Sequence, residues 1–134
     1  MDNSTKSFEE YNPKMYIIMN TSVKMKPGKM VSQGAHVAGD IVDEIVRSGY
    51  ENNGMLSEDY KTYVKWKKTG EAKIVCKANE EELLNILNTQ VEKGYKARYI
   101  RDAGRTQVEP NSLTVVGIFP SSTSYIHFSH LQLL

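Results

Sequence analysis

The chain has 134 residues, of which 40% are hydrophobic and 25% are charged, and its formal net charge at pH 7 is +1. This length fits one domain with a real core, and the composition is ordinary for a soluble globular protein. The single cysteine, Cys76, excludes an internal disulfide, and no apolar run is long enough to span a membrane. We therefore expect a soluble, cytoplasmic protein without a signal peptide.

The first half of the sequence predicts a strand followed by a long helix. Residues 1–14 are polar and unpatterned, so we expect a flexible N-terminal tail. The apolar run at 16–19 predicts a buried central strand. Apolar side chains then recur at helical spacing from Met30 to about Arg47, which predicts an amphipathic helix.

Three polar residues at the start of this helix form a candidate binding set. With about 100° between successive residues, Lys29, Gln33 and His36 fall on one stripe, roughly opposite the centre of the apolar arc. Free N–H groups and the helix dipole favour an anion at this end. A lysine there is usually only solvated, but its unfavourable position relative to the dipole points to a functional partner for Lys29.

The second half of the sequence alternates strands with helices. Ser57 is the expected N-cap of a helix that stops near Gly70, and Asn79 begins another in capping-box style. Five apolar residues after Asn79 are expected to face inward: Leu83, Leu84, Ile86, Leu87 and Val91. Strands are predicted at 72–77, 95–101 and 113–119, and a short helix at 125–128. This order predicts one small α/β domain, residues 15–134, in which helices cover a mixed sheet of four or five strands in two or three layers.

The connection between the last two long strands concentrates polar side chains. Asp102, Arg105 and Thr106 lie in this segment, and Thr114 follows at the start of the next strand. Loops held by a rigid sheet can present such groups to a ligand, so a functional site is predicted here. Each residue also has a structural interpretation. Asp102 can initiate a turn, Arg105 can form a salt bridge with Asp102, and threonine is common in strands for its shape alone.

The low net charge conceals three basic segments. Residues 61–77 hold six lysines against one acid, and residues 93–105 hold five basic residues against one acid. Lys24, Lys26 and Lys29 form the third group. Each segment alone fits a solvated face, but three segments around one loop favour RNA binding, which requires local positive charge.

Other chemistries lack the residues they need. The three histidines and Cys76 do not show metal-ligand spacing, and Gly28-Lys29 lacks the upstream glycine of a P-loop. No Gly-x-Ser-x-Gly elbow is present. The sequence therefore favours a reaction without a metal, a cofactor or a conventional nucleophile.

Several segments, in order along the chain, resemble the type 2 peptidyl-tRNA hydrolase family. They are Lys24-Met25, Gly28-Lys29-Met30, Gln33-Gly34-Ala35-His36, Trp66 with 70–75, Asp102 to Gln107 with Leu113 to Gly117, and the terminal Leu131 to Leu134. The resemblance implies a small mixed sheet covered by helices, cleavage of the ester between a peptide and the 3′ ribose of tRNA, and a homodimer. Lys26-Pro27 departs from the usual Gly-Lys, so we expect the loop before Gly28 to differ in shape.

Ester hydrolysis needs an oriented water and stabilisation of a developing oxyanion. The resemblance implies that Asp102 orients or deprotonates the water and that Lys29 stabilises the oxyanion or holds a terminal phosphate. Thr106 and Thr114 would then hold the water or the ester carbonyl. These four residues are the predicted catalytic group.

Substrate or tRNA binding is assigned to four further residues: Lys24, Gln33, His36 and Arg105. Arg105 suits bidentate phosphate binding, Gln33 could position the peptide or the ribose, and His36 is expected to support the site from behind. Trp66 could stack on the terminal adenine, but we prefer a core position for it.

The alternative function is a catalytically silent adaptor that binds tRNA or protein on the same fold. An adaptor needs only the basic surface. The joint presence of Lys29, Asp102, Thr106 and Thr114 therefore favours the enzyme.

Overall fold

The secondary structure follows the predicted alternation of strands and helices. A computed structural model describes residues 12–51, 54–103 and 109–134. Its strands are β1 (Lys14–Asn20), β2 (Lys73–Ala78), β3 (Ala97–Arg101) and β4 (Leu113–Ser121). Its α-helices are α1 (Pro27–Glu51), α2 (Glu58–Lys68), α3 (Glu80–Asn88), α4 (Gln90–Lys93) and α5 (Ser124–Phe128), and a 3₁₀ turn spans Gly54–Leu56. The predicted N-terminal tail lies mostly outside the described residues.

The described strands form one mixed sheet in the order β2-β1-β4-β3. β1 and β2 run parallel, and β4 runs antiparallel to both β1 and β3. β1, β2 and β3 therefore end at the same edge of the sheet, where β4 begins. We call this end of the sheet, at the C-terminal ends of β1, β2 and β3, the carboxyl edge. The other end, where these three strands begin, is the opposite edge. The predicted mixed four-stranded sheet is confirmed, and the loops at its carboxyl edge are well placed to bind a ligand.

The C-terminal residues cover the outer side of β2. The Lys77 N–H donates to the Gln132 carbonyl, and the Leu134 N–H donates to the Val75 carbonyl, both at 3.0 Å. A single antiparallel bridge joins Cys76 to Leu133. These contacts satisfy backbone groups that an uncovered edge strand would leave unpaired.

Helices cover both faces of the sheet, which decides between two and three layers in favour of three. Alternate residues of β1 face opposite sides, so Ile17 packs with α1 and α2 while Ile18 packs with α3 and α5. Trp66 belongs to the first of these cores and is 1% exposed. Its indole N–H donates to the Ala72 carbonyl at 2.9 Å, so the predicted core position of Trp66 is confirmed.

A glycine in β4 allows α1 to lie close to the sheet. A Cβ atom at Gly117 would stand 2.8 Å from Ile41 Cδ1 and 2.9 Å from Val37 Cγ2. These distances are too short for non-bonded carbon atoms, so a larger residue would push the helix away. Gly117 therefore fixes α1 above β4, and the N-terminal turns of α1 extend to the carboxyl edge.

Two predicted inward-facing residues point outward instead. Leu84 is 40% exposed and Val91 is 97% exposed, so their inward assignment was wrong. The predicted single helix is divided at Thr89, whose hydroxyl donates to the Asn85 carbonyl at 2.9 Å. Because α4 begins after this break, the spacing that relates Val91 to α3 no longer holds. The predicted N-cap Asn79 is confirmed, since its side chain accepts from the Glu82 N–H.

Candidate active site

Four of the predicted site residues meet at the carboxyl edge. The Lys29 ammonium Nζ donates to Asp102 Oδ1 at 2.6 Å, and the two side chains are only 8% and 11% exposed. Beside them, the Thr114 hydroxyl donates to Gln33 Oε1 at 2.5 Å. Thr114 is fully buried and Gln33 is 7% exposed. A cation, a carboxylate, an amide and a hydroxyl are therefore gathered where α1, β3 and β4 meet.

The start of α1 holds the lysine in place. The helix begins at Pro27, three residues earlier than predicted, and the Met30 N–H already donates to the Lys26 carbonyl at 3.1 Å. Proline suits the first helical position, because its missing N–H would have no partner there. Lys29 therefore belongs to the first helical turn. The contact with Asp102 offsets the unfavourable position of its charge relative to the helix dipole.

The predicted polar stripe on α1 is only partly correct. Gln33 lies four residues before Val37 and eight before Ile41, on the stripe that faces the sheet, and all three are buried. His36 points outward: its side chain is 56% exposed, and its Nε2 lies 3.6 Å from Asp40 Oδ2. The prediction that Gln33 lies opposite the apolar arc was wrong. The sheet-facing stripe instead changes from apolar to polar as the helix reaches the end of the sheet.

Backbone hydrogen bonds hold Asp102 at the end of β3. Its N–H donates to the Ser112 carbonyl at 2.9 Å, and its carbonyl accepts from the Asn111 N–H at 2.7 Å. The Arg101 guanidinium donates to the Asn111 carbonyl at 2.9 Å. Asn111 has a φ of 65°, a conformation in which asparagine is among the more tolerant residues. These hydrogen bonds fix the backbone at Asp102, so its carboxylate is held in position at the end of β3.

This arrangement can act on a carbonyl compound. A lysine ammonium carries three N–H donors, so the contact with Asp102 does not saturate it. A carboxylate can orient a water and accept its proton, while an adjacent ammonium can stabilise negative charge that develops on an oxygen. Limited exposure strengthens both effects, because water screens the charges less.

A family model described as peptidyl-tRNA hydrolase PTH2 matches residues 13–134. The chain belongs to that family. The match spans every described strand and helix. It also contains Lys29, Gln33, Asp102 and Thr114, which we call the buried cluster. The family resemblance inferred from the motifs is therefore confirmed.

Three relatives named peptidyl-tRNA hydrolase are similar along most of their length. The peptidyl-tRNA hydrolase of Methanocaldococcus jannaschii is 36% identical over 124 residues, which cover 90% of this chain and 99% of the relative. Those of Sulfolobus acidocaldarius and Methanococcus maripaludis are each 36% identical, over 84% and 82% of this chain respectively. These relatives are covered to 91% and 87% of their own lengths.

Asn20 joins the candidate site to the sheet, and it was not among the predicted site residues. This side chain is 2% exposed at the end of β1. Its amide nitrogen donates to the Leu113 carbonyl at 2.9 Å and to Glu80 Oε1 at 3.1 Å, and its oxygen accepts from the Ser22 N–H at 2.8 Å. The signal in the sequence was a polar residue directly after the apolar run at 16–19, at the end of the predicted strand.

The other predicted site residues lie elsewhere. Lys24 is exposed and lines a cavity of about 580 Å³ beside the start of α1. Arg105 and Thr106 lie outside the described residues.

Among residues 12–51, 54–103 and 109–134, no three His, Cys, Asp or Glu side chains are grouped so as to hold a metal ion. Burial raises the pKa of the Cys76 thiol, which keeps the thiol protonated and favours a structural role over a nucleophilic one.

The basic segments are only partly gathered at the carboxyl edge. Lys77 and Arg101 lie near the ends of β2 and β3 at that edge, but other members of the same segments do not. Lys73 begins β2, so it lies at the edge of the sheet opposite the cluster, and Lys67 reaches the same region through a 2.5 Å contact with Glu71. Lys96 lies just before β3, at that same opposite edge, and pairs with Asp59.

In the part of the chain that the structure describes, no helix is both long and apolar enough to cross a bilayer.

Proposed function

We propose that this protein hydrolyses the ester between a peptide and the 3′ ribose of tRNA, and so recycles tRNA from prematurely released peptidyl-tRNA. Membership of the PTH2 family and relatives named peptidyl-tRNA hydrolase support this substrate class. The observation that carries the mechanism is the nearly buried contact between Lys29 and Asp102, beside Gln33 and Thr114.

In the proposed reaction, Asp102 orients a water molecule and accepts one of its protons. The water oxygen forms a bond to the ester carbonyl carbon, and the carbonyl oxygen takes up negative charge. The Lys29 ammonium donates to that oxygen. When the carbonyl re-forms, the bond to the ribose oxygen breaks, and this oxygen leaves with a proton returned from the site.

Gln33 and Thr114 are proposed to position the substrate together. The Gln33 oxygen accepts from Thr114, so its amide N–H groups are turned away from that hydroxyl and can donate to the ribose or the peptide. The family resemblance implies that Thr114 holds the water or the ester carbonyl. Its complete burial favours a positioning role through Gln33 instead.

The remaining assignments rest on the sequence pattern and the family. Thr106 is proposed to hold the water or the carbonyl, and Arg105 and Lys24 to bind tRNA phosphates. His36 is proposed to contribute to substrate binding from the exposed side of α1. We further propose that catalysis needs no metal ion and that the protein acts in the cytoplasm as a homodimer. The ammonium of Lys29 supports metal-free catalysis, because it supplies beside Asp102 the positive charge that a metal ion would otherwise bring.

The decisive experiment is release of peptide from an N-blocked aminoacyl-tRNA in the presence of EDTA. Asp102→Asn is expected to lower the rate by at least about a hundredfold, since it removes the base while keeping the shape of the side chain. Asp59→Asn is the matched control, because Asp59 also pairs with a lysine but lies at the opposite edge of the sheet.

Each outcome has a definite meaning for the proposal. Full activity in Asp102→Asn would exclude this carboxylate from the chemistry, and loss of wild-type activity in EDTA would contradict metal-free catalysis. A wild-type protein that binds tRNA in a salt-sensitive manner without cleaving it would be the adaptor. Sedimentation at several concentrations tests the homodimer.

A further inference from the structure

An apolar groove runs along α1 on the side away from the buried cluster. It has a volume of about 400 Å³ and lies between α1 and the adjacent strands β1 and β2. A Cβ atom at Gly34 would stand 3.3 Å from Met19 of β1, which shows that this side of the helix faces β1. Val31 and Val75 line the groove and are 71% and 36% exposed. Lys73 is the charged residue in its lining.

The groove continues into the cavity at the carboxyl edge. That cavity has a volume of about 580 Å³ and shares Met19, Met30 and Leu134 with the groove. The rest of its lining includes Lys24 and Lys26, so the surface changes from basic at the carboxyl edge to apolar along the helix.

The lining of this cavity is linked to the segments that carry the proposed catalytic cluster. Asn20 lies in the lining and donates to the Leu113 carbonyl, and Leu113 directly precedes the buried Thr114. Met30, which lines both the cavity and the groove, directly follows Lys29.

We propose that this groove binds the peptide part of peptidyl-tRNA, an inference that rests on the proposed function. The substrate has a polyanionic end and a peptide end, which are joined at the ester. The basic rim formed by Lys24 and Lys26 complements the phosphates, and the apolar groove complements peptide side chains.

The composition of the lining fits a substrate of variable sequence. Met19, Met25 and Met30 line the groove or the adjoining cavity. Methionine side chains are flexible and polarisable, so they adapt to differently shaped apolar groups. The groove is therefore expected to favour apolar peptides without requiring one sequence.

The test compares two substrates that share their tRNA and their ester: N-acetylglycyl-tRNA and N-acetyl-Phe-Leu-glycyl-tRNA. Val31→Asn removes an apolar contact without adding a charge that would repel phosphate. It is expected to raise KM for the longer substrate by about threefold to tenfold, the range expected for partial loss of a valine contact. We expect kcat for that substrate and KM for N-acetylglycyl-tRNA to be unchanged.

Val91→Asn is the matched control. Val91 is also a helical valine, 97% exposed, and lies near the start of β3 at the opposite edge of the sheet. Its substitution is expected to leave both KM values unchanged.

Three results would overturn the inference while leaving the proposed function intact. Unchanged KM for both substrates in Val31→Asn would show that the peptide does not use the groove. An equal rise in KM for both substrates would assign the groove to the tRNA part of the substrate. A change in the sedimentation of the Val31→Asn variant would assign the groove to contacts between copies of the chain. Failure of the wild type to cleave either substrate would instead refute the proposed function itself.

Discussion

The two edges of the sheet hold similar ion pairs in different surroundings. At the carboxyl edge, the side chains of Lys29 and Asp102 are 8% and 11% exposed. At the opposite edge, those of Lys67 and Glu71 are 47% and 38% exposed, and Lys96 is 61% exposed in its contact with Asp59. Each pair joins a lysine to a carboxylate, so the main difference between the two sets is their exposure to water. Water screens the second set but has little access to the first.

This difference separates a surface contact from a candidate reaction centre. A nearly buried pair must compensate the cost of removing two charges from water, so loss of one partner removes a large part of the compensation for the other charge. The same low exposure makes its electric field strong at a nearby substrate. The lysine-rich opposite edge has many charges, but its pairs are arranged like an ordinary solvated surface.

The largest effect is expected for Lys29→Met, which leaves the Asp102 carboxylate without its ammonium. We expect the free energy of unfolding to fall by about 3 kcal/mol and peptide release to slow by about a hundredfold or more. Urea unfolding and single-turnover hydrolysis measure the two quantities. Lys96→Met, which breaks a pair at the opposite edge, is the control and is expected to change stability by less than about 1 kcal/mol.

A double variant, Lys29→Met with Asp102→Leu, sharpens this comparison. It removes both charges, so we expect it to regain much of the lost stability while activity stays low. Recovery of activity together with stability would show that the pair is only structural. Unchanged stability in the single variant would contradict the burial argument.

A smaller effect is expected for Thr114→Val, which keeps the shape of the side chain and removes the donor to Gln33. The unsatisfied Gln33 oxygen should cost about 1–3 kcal/mol of stability, and the misplaced amide should raise KM more than it lowers kcat. Thr114→Ser retains the hydroxyl and is expected to restore the wild-type KM. If Thr114→Val lowers kcat alone, the hydroxyl takes part in the chemistry and the positioning role is wrong.

The smallest effect is expected for Glu71→Gln at the opposite edge. The hydrogen bond from Lys67 lowers the pKa of Glu71, so its contribution to stability is present above the usual glutamate pKa and is lost as the pH falls through the lowered value. Wild type and variant should therefore differ slightly in urea unfolding at pH 7 and converge once the pH has fallen below the lowered pKa of Glu71. Peptide release should be the same in both, and a loss of activity would mean that this edge belongs to the site.

Much of the fold was predictable because its signals are local. Ser57 and Asn79 cap the helices that they were expected to begin, with Ser57 accepting from the Tyr60 N–H and Asn79 from the Glu82 N–H. Apolar periodicity identified the four strands and α1. Val91 shows the limit of such patterns, since one break at Thr89 was enough to turn it outward.

The sequence by itself determined the order of strands and helices, the family, and the short list of residues able to carry the chemistry. Only the tertiary structure decided which of them meet. Lys29 and Asp102 are separated by 73 positions, and Gln33 and Thr114 by 81. Such contacts depend on the strand order and on how closely α1 packs over Gly117. Neither is encoded in a local pattern, because each results from the joint packing of distant segments into one core.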